Sequence, residues 1–494
     1  MTGRTLMVQG TASSVGKSLL VTALCRIYAR RGLKVAPFKA QNMALNSGVT
    51  ADGAEIGRAQ LAQAEAARVA PRAEMNPILL KPETSARSQV IVMGRAVGSM
   101  HFGDYHEKKL DLREVVGGAL DRLRSDFDLV VIEGAGSPAE VNLKDRDLVN
   151  MWVAERADAP VVLVTDIERG GALAAIVGTL ELLEPGERAR VRALVVNKFR
   201  GDPRLFEGGV QFLERRCGIR VAGVVPHMGD TGIASEDSLD VRSRGGGGVR
   251  LAVVRLPRLS NFDELEPLAR EPGVEVEWVD RPEALRGASL VVLPGTKCTA
   301  SDLAWLRRSG FAGEIMRHVA LGGPLFGICG GFQMLGERIL DPEGVESREA
   351  DAPGLGLLPV VTRFGREKVT SPVELRLGEG LPLLAAAGGA RLHGYEIHCG
   401  RVEVAAGARP FGTVVRRGGR SCAEAEGAVA RDAPVAGTLV HGLFENEALR
   451  AALLFSLGAG RQAAAEADPY EALADHFESA LDMAHVDGLA GVAR

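Results

Sequence analysis

Short apolar runs rich in β-branched residues alternate with longer segments of helical spacing through the first half of the chain. Residues 5–9, 34–38, 129–133, 161–166, 193–197 and 221–225 are such runs, and residues 17–31 form a helix-spaced segment between the first two. Continuous runs of this kind, separated by helices, predict a parallel sheet covered on both faces. After residue 225 the pattern loosens, and Ser-Arg-Gly-Gly-Gly-Gly-Val at 243–249 reads as a linker. A second alternating set follows at 251–256, 274–279, 289–293 and 324–328, and it ends at 438–441. The tail from 447 is rich in alanine and acidic residues at helical spacing. The expected architecture is therefore two α/β domains, 1–245 and 249–446, with C-terminal helices over 447–494 packed on the second domain.

With 494 residues, 46% hydrophobic and 25% charged, the composition is that of a globular chain with room for two large cores. The formal net charge of -4 gives no electrostatic footprint for nucleic acid. The apolar runs are strand-sized, well short of the roughly 18 residues of a membrane span. The chain passes from Arg4 directly into the first strand, which leaves no room for a cleavable signal peptide, so the cytoplasm is the expected compartment. Six scattered cysteines, without a Cys-x-x-Cys pair, speak against a disulfide framework or a structural zinc site. A homo-oligomer is compatible with all of this.

Two motifs change the picture from fold to chemistry. Gln9-Gly-Thr-Ala-Ser-Ser-Val-Gly-Lys-Ser18 lies between a strand and a helix, the context of a phosphate loop. Backbone amides from Gly10 to Gly16, with Thr11 among them, would cradle ATP phosphates; Lys17 would neutralise them and the Ser18 hydroxyl would contact Mg²⁺. Five residues separate Gly10 from Gly16, so the usual four-residue spacing is met only from Thr11. Glu133, closing the run at 129–133, sits where open α/β sheets bind ligands and is a second Mg²⁺ candidate. Lys39, after the second strand, is a candidate for a substrate carboxylate or its acyl phosphate, with a solvated lysine as the alternative. The Gly-Thr opening resembles dethiobiotin synthetase and related carboxylate-activating enzymes. That resemblance implies a nucleotide-binding role for Asn197 and a metal role for Asp52, against a polar strand end and a surface ion pair.

Cys329 follows an apolar strand within Gly-Ile-Cys-Gly-Gly-Phe-Gln, at a glycine-flanked turn into a helix. This is how a fold presents a nucleophile, and the helix N-terminus favours a thiolate. The amides of Gly330 and Gly295 are candidates for an oxyanion site, and His441 in Val-His-Gly is the candidate base. The arrangement resembles a class I glutamine amidotransferase, with a flavodoxin-like fold and Gln333 at the glutamine site. In that class a glutamate stands two residues after the histidine; Leu443 stands there here, and Glu445 has the wrong spacing. The group that orients His441 stays open.

Gln-Asn-Met-Ala-Leu-Asn-Ser at 41–47, Ala-Asp-Gly-Ala-Glu-Ile-Gly-Arg-Ala-Gln at 51–60, Asp-Ile-Glu-Arg-Gly-Gly at 166–171, Arg-Leu-Pro-Arg-Leu-Ser-Asn-Phe at 255–262 and Gly-Tyr-Glu-Ile-His at 394–398 resemble the cobyric acid synthase family over essentially the whole chain. The resemblance implies ATP- and glutamine-dependent amidation of a corrinoid, adenosylcobyrinic acid a,c-diamide, at its b, d, e and g carboxylates. Gln41, Asn42 and Asn46 become candidate substrate contacts, with polar turn residues as the alternative. Cobyrinic acid a,c-diamide synthases share the plan and match less well at 41–47. A partitioning-type ATPase would carry an extra early lysine where Gln9 and Gly10 stand.

Overall fold

The computed structural model describes residues 2–84, 86–229, 231–233, 244–245, 248–347, 349–405, 408–459 and 468–492. In the N-terminal unit, β1 (Arg4–Gly10) runs through the phosphate loop into helix α1 (Lys17–Arg30), followed by β2 (Val35–Phe38). An excursion then leaves the sheet: β3 (Gln41–Met43), β4 (Ser47–Val49), β5 (Glu55–Gly57), helix α2 (Arg58–Ala66), β6 (Ile78–Pro82), β7 (Arg87–Val92) and β8 (Arg95–His101). The chain returns through β9 (Leu129–Glu133), β10 (Val161–Asp166), β11 (Val191–Phe199) and β12 (Val221–Pro226). The main sheet has the order β12-β11-β10-β1-β9-β2, and every pairing is parallel. All five residues of β9 are buried, as a strand covered on both faces requires.

The second unit has its own parallel core. Strands β14 (Val249–Val254), β15 (Val274–Val279), β16 (Leu290–Leu293), β17 (Leu325–Ile328) and Val435–Thr438 build it in the order β15-β14-β16-β17 and then Val435–Thr438, and an antiparallel strand flanks each end, β13 (Arg244–Gly245) on β15 and Ala428–Val429 on Val435–Thr438. A second sheet packs beside it, formed by β18 (Arg338–Leu340), β19 (Asp351–Pro353), the long hairpin of β20 (Val360–Leu377) and β21 (Arg391–Val404), and the strand Val440–His441.

Three expectations need correction. The linker read at 243–249 falls partly outside the described residues, and Arg244–Gly245 already pairs with β15, so the second unit's sheet begins before the expected boundary at 245. The run at 438–441 is no single strand. Thr438 ends a strand of the parallel core and Val440 starts one in the other sheet, with the Leu439 N–H donated to Glu426 Oε1 at 2.6 Å between them. The tail does not pack on the second unit as a whole. Helix Glu447–Ser456 does, through Leu449 and Leu453. Helices Pro469–Ala480 and Met483–Ala490 instead cross back to α1, where Leu473, Phe477, Met483 and Val486 join Leu20, Leu24 and Ile27 in one core. Their acidic faces meet a basic edge of α1: Arg26 lies 2.9 Å from Asp468, Arg30 2.5 Å from Asp475 and Arg31 2.8 Å from Asp487. Among the described residues no helix is long and apolar enough to cross a membrane.

Candidate active site

The phosphate loop is shaped by two glycines. Gly16 takes φ 99°, and a Cβ there would lie 2.1 Å from Asn197 Nδ2; a Cβ on Gly10 would meet Val15 Cγ2 at 2.6 Å. Lys17 folds over the loop, its Nζ donating to the carbonyls of Ala12 at 2.9 Å and Gly136 at 3.2 Å. Thr11 Oγ1 donates to Thr165 Oγ1 at 3.0 Å and ties the loop to β10. The Asn197 amide donates to Val15 O at 2.9 Å and its Oδ1 accepts from the Lys198 N–H. It therefore buttresses the loop from behind, with one hydrogen bond from each polar end to backbone.

Glu133 is the hub of this site. Ser18 Oγ donates to its Oε1 at 2.9 Å, Lys39 Nζ lies 2.9 Å from the same oxygen, and Gln63 Nε2 donates to Oε2 at 2.6 Å. The pair Ser18 Oγ and Glu133 Oε1 is a hard-oxygen set of the kind Mg²⁺ takes beside phosphates and waters, so the residues present fit that ion. The Asp52 carboxylate accepts from Thr50 Oγ1 in the turn between β4 and β5, where a Cβ on neighbouring Gly53 would lie 3.1 Å from the Thr370 carbonyl of the second unit. Nearby, Gln41 Oε1 accepts from Tyr105 Oη at 2.5 Å, and Asn42 Nδ2 donates to Gln60 Oε1 at 3.0 Å. Asn46 is fully buried with no hydrogen-bond partner on either side-chain atom.

In the second unit, β17 delivers Cys329 onto a turn with φ 49° and ψ -110°, a conformation a non-glycine residue holds only when its surroundings enforce it. The glycines after it let the strand ends close in: a Cβ on Gly331 would lie 2.0 Å from Leu293 O, and one on Gly330 2.6 Å from Thr296 Cγ2. The helix that follows, Gly330–Leu335, is only six residues long. Gly295 sits against the site, where a Cβ would be 3.2 Å from His441 Cε1. Gln333 is buried on the cavity wall, donating to Cys399 O at 3.2 Å and accepting from Thr299 Oγ1 at 3.2 Å.

The fold supplies the group that sequence spacing left open. His441 Nδ1 lies 3.2 Å from both carboxylate oxygens of Glu264, and Glu264 Oε2 also accepts from the Gly442 N–H at 3.4 Å. Leu443 is buried in the core and Glu445 turns to Arg58, 3.5 Å away. Tyr395 stacks on the imidazole with centroids 5.5 Å apart. Burial works to lower the His441 pKa, but Glu264 and the hydrogen-bonded Cys329 thiol together push it up to about 10. Burial also pushes the Glu264 carboxyl up, against the opposing pull of His441. The motif read at 255–262 stops two residues short of Glu264, and nothing in local spacing links it to a histidine 177 positions away.

A cavity of about 40 Å³ opens beside Cys329 and His441, with room for a few water-sized molecules. Its walls come from both units: Ser260, Asn261, Thr296 and Gln333 from one, Lys81 and Gln89 from the other. A buried ion cluster fastens this seam. Glu55 lies 3.0 Å from Lys81 and 2.5 Å from Lys368, and Lys368 Nζ donates to Gln89 at 2.9 Å.

A nucleotide-binding α/β unit joined to a unit that sets cysteine, histidine and glutamate in contact defines a class, the glutamine amidotransferases fused to a phosphate-loop synthetase. Residues 250–449 match the CobB/CobQ-like glutamine amidotransferase domain, and residues 6–240 match the CobQ/CobB/MinD/ParA nucleotide binding domain. The chain is 54% identical over 519 aligned residues to the cobyric acid synthase of Sorangium cellulosum, covering 100% of both chains. It is 51% identical to that of Pelotomaculum thermopropionicum, over 91% of this chain and 87% of that one, and 47% identical to that of Salmonella gallinarum, over 92% and 90%. The chain belongs to the cobyric acid synthase family.

Proposed function

We propose that this chain amidates the b, d, e and g side-chain carboxylates of adenosylcobyrinic acid a,c-diamide, using ATP to activate each carboxylate and ammonia drawn from glutamine at Cys329. The observation that carries the reading is the shared cavity: the wall beside the nucleophile is built partly by Lys81 and Gln89 of the nucleotide-binding unit. A glutaminase serving water alone has no need of that wall.

In this reading the thiol proton of Cys329 passes to His441 and the sulfur adds to the glutamine amide carbon. His441, held protonated by Glu264, passes its proton to the departing nitrogen, and ammonia leaves a thioester. Water, deprotonated by the now neutral imidazole, cleaves the thioester to glutamate and restores the thiol. The amides of Gly295 and Gly330 are the candidate donors to the oxyanion. In the other unit, Lys17 and the loop amides hold the ATP phosphates. Ser18 and Glu133 would hold Mg²⁺, which would shield the phosphate charge when bound. Lys39 orients the carboxylate that attacks the terminal phosphorus, ADP departs as the bridging P–O bond breaks, and ammonia then displaces phosphate from the acyl phosphate. Asn46, Gln60 and Gln63 each carry a buried polar atom without a protein partner. Unmade hydrogen bonds in this region suit a lining for a small polar molecule passing between the sites. Gln41 and Asn42 are assigned to the corrinoid side. The cytoplasm, with its ATP and glutamine, is the compartment this chemistry suits.

Incubation with Mg²⁺-ATP, glutamine and adenosylcobyrinic acid a,c-diamide, followed by mass spectrometry, tests the reading. Four carboxylate-to-amide conversions support it. Absence of these, with conversion of the a and c carboxylates of cobyrinic acid instead, would reassign the chain to the diamide synthases.

A further inference from the structure

The turn that carries Glu264 is held from outside its own unit. Asn261, at φ 52°, opens the single turn Phe262–Leu265. The backbone N–H of Ser47 in β4 donates to Asn261 Oδ1 at 3.3 Å. Arg58 Nε lies 2.7 Å from Asp263 Oδ2, and its Nη2 reaches Glu445 at 3.5 Å. Two residues of the nucleotide-binding unit thus grip the turn on either side of Phe262. The Asp263 side chain is only 2% exposed, and its charge repels the Glu264 carboxylate beside it. A buried anion without a counter-charge is costly, and the Arg58 guanidinium supplies that counter-charge to Asp263 in this turn.

Arg58 is also the first residue of α2, a nine-residue helix. Five positions further along the same helix, Gln63 donates to Glu133 at 2.6 Å. At a rise of about 1.5 Å per residue, these two grips are separated by roughly 7.5 Å of one rigid element. Glu133 already accepts from Ser18 and Gln63 and pairs with Lys39, against about four acceptor positions on a carboxylate. A cation arriving beside Ser18 competes for those oxygens, so the grip on the Gln63 end of α2 depends on what the nucleotide site holds.

We propose that Arg58 is a positioning residue for the glutaminase, presented across the unit boundary by α2, so that the state of the nucleotide site sets the readiness of His441. The inference rests on the glutamine-dependent reading given above. It assigns to the N-terminal unit one member of the support that aligns Glu264 and His441.

The probe is a chloroketone analogue of glutamine, with labelling of Cys329 followed by peptide mass spectrometry across pH, in the full-length protein and in Arg58→Met and Arg58→Lys. The Met variant is expected to label at least about ten-fold more slowly at neutral pH, with its labelling profile displaced to lower pH. The Lys variant recovers part of the rate, since it keeps the charge but not the fork that spans Asp263 and Glu445. Mg²⁺-ATP is expected to change the labelling rate of the parent and not that of Arg58→Met. Parental rate and profile in Arg58→Met, or a parental labelling rate indifferent to Mg²⁺-ATP, overturns the proposal. So does a Met variant that Lys does not relieve and that has also lost ammonia-supported amidation, which marks a folding role. A parent that labels normally but fails to amidate the corrinoid counts against the proposed function alone.

Discussion

Replacing Glu264 by Gln removes one negative charge from the pair that holds His441 and leaves the side-chain volume nearly unchanged. Both carboxylate oxygens lie 3.2 Å from Nδ1, inside a site where His441 is 2% exposed and Glu264 4%. A hydrogen bond to a charged partner contributes about 1.5–3 kcal/mol. Lost from the reacting complex, that corresponds to a fall of roughly 10- to 150-fold in glutamine hydrolysis. The pH dependence gives the sharper readout. Glu264 is the main influence lifting the His441 pKa to about 10, so the imidazolium persists through neutral pH and is lost only as pH rises towards that value. Without the carboxylate, burial dominates and the pKa falls, so the basic limb of the glutaminase profile moves to lower pH. Glutamate release measured from pH 6 to 10, beside ammonia-supported amidation in the same preparation, separates this loss from unfolding. A Gln variant with the parental rate and the parental basic limb would refute the assignment of Glu264 as the group that orients His441.

Cys329→Ala is expected to abolish glutamine-dependent amidation while ammonia still supports the reaction, and Lys17→Ala to lose both; equal losses in the two assays for both variants would defeat the two-site mechanism. Gly331→Ala places a Cβ 2.0 Å from Leu293 O and 2.8 Å from Pro294 O, both backbone atoms that cannot swing away. Overpacking of this kind costs about 1–3 kcal/mol, and the urea midpoint should fall together with Cys329 labelling. Lys368→Met removes one of two cations from Glu55, which is 1% exposed. Breaking a buried pair costs about 3–5 kcal/mol, and loss of glutamine-supported amidation ahead of ammonia-supported amidation would locate the damage at the seam between units.

The parts of this molecule that were legible in its sequence are those whose cause is local. A β-branched run such as 129–133 can bury both faces only in a covered parallel sheet, and the Gly-Lys-Ser and Cys-Gly-Gly turns announce themselves because backbone geometry there tolerates few residues. The parts that were not legible depend on which surfaces meet. Glu264 sits in a turn with no spacing signal, and only the packing of the turn Phe262–Leu265 against the turn Leu443–Glu445 brings it to His441. The segment at 438–441 looks like one strand because hydrophobic pattern does not record a change of sheet. The helices beyond 468 display an apolar face through Leu473 and Phe477, but pattern states only that such a face will be covered, not by which unit. Asn197 illustrates the same limit at the scale of one side chain, since a polar strand end reads alike whether it faces a ligand or supports the loop that does.

The return of the last two helices to α1 has a consequence for how the molecule is made. The amidotransferase unit is spelled out in the interior of the polypeptide, between the sheet of the nucleotide-binding unit and the helices that seal that sheet's outer face. A ribosome releases the whole amidotransferase core before it has written Leu473, Phe477 and Val486. During synthesis the α1 face must therefore wait, exposed, from the writing of residue 30 until that of residue 473 out of 494. The two activities are born in the reverse of their order along the gene, and a transcript broken before residue 468 yields a chain whose thiol site has all its residues while its ATP site lacks part of its foundation.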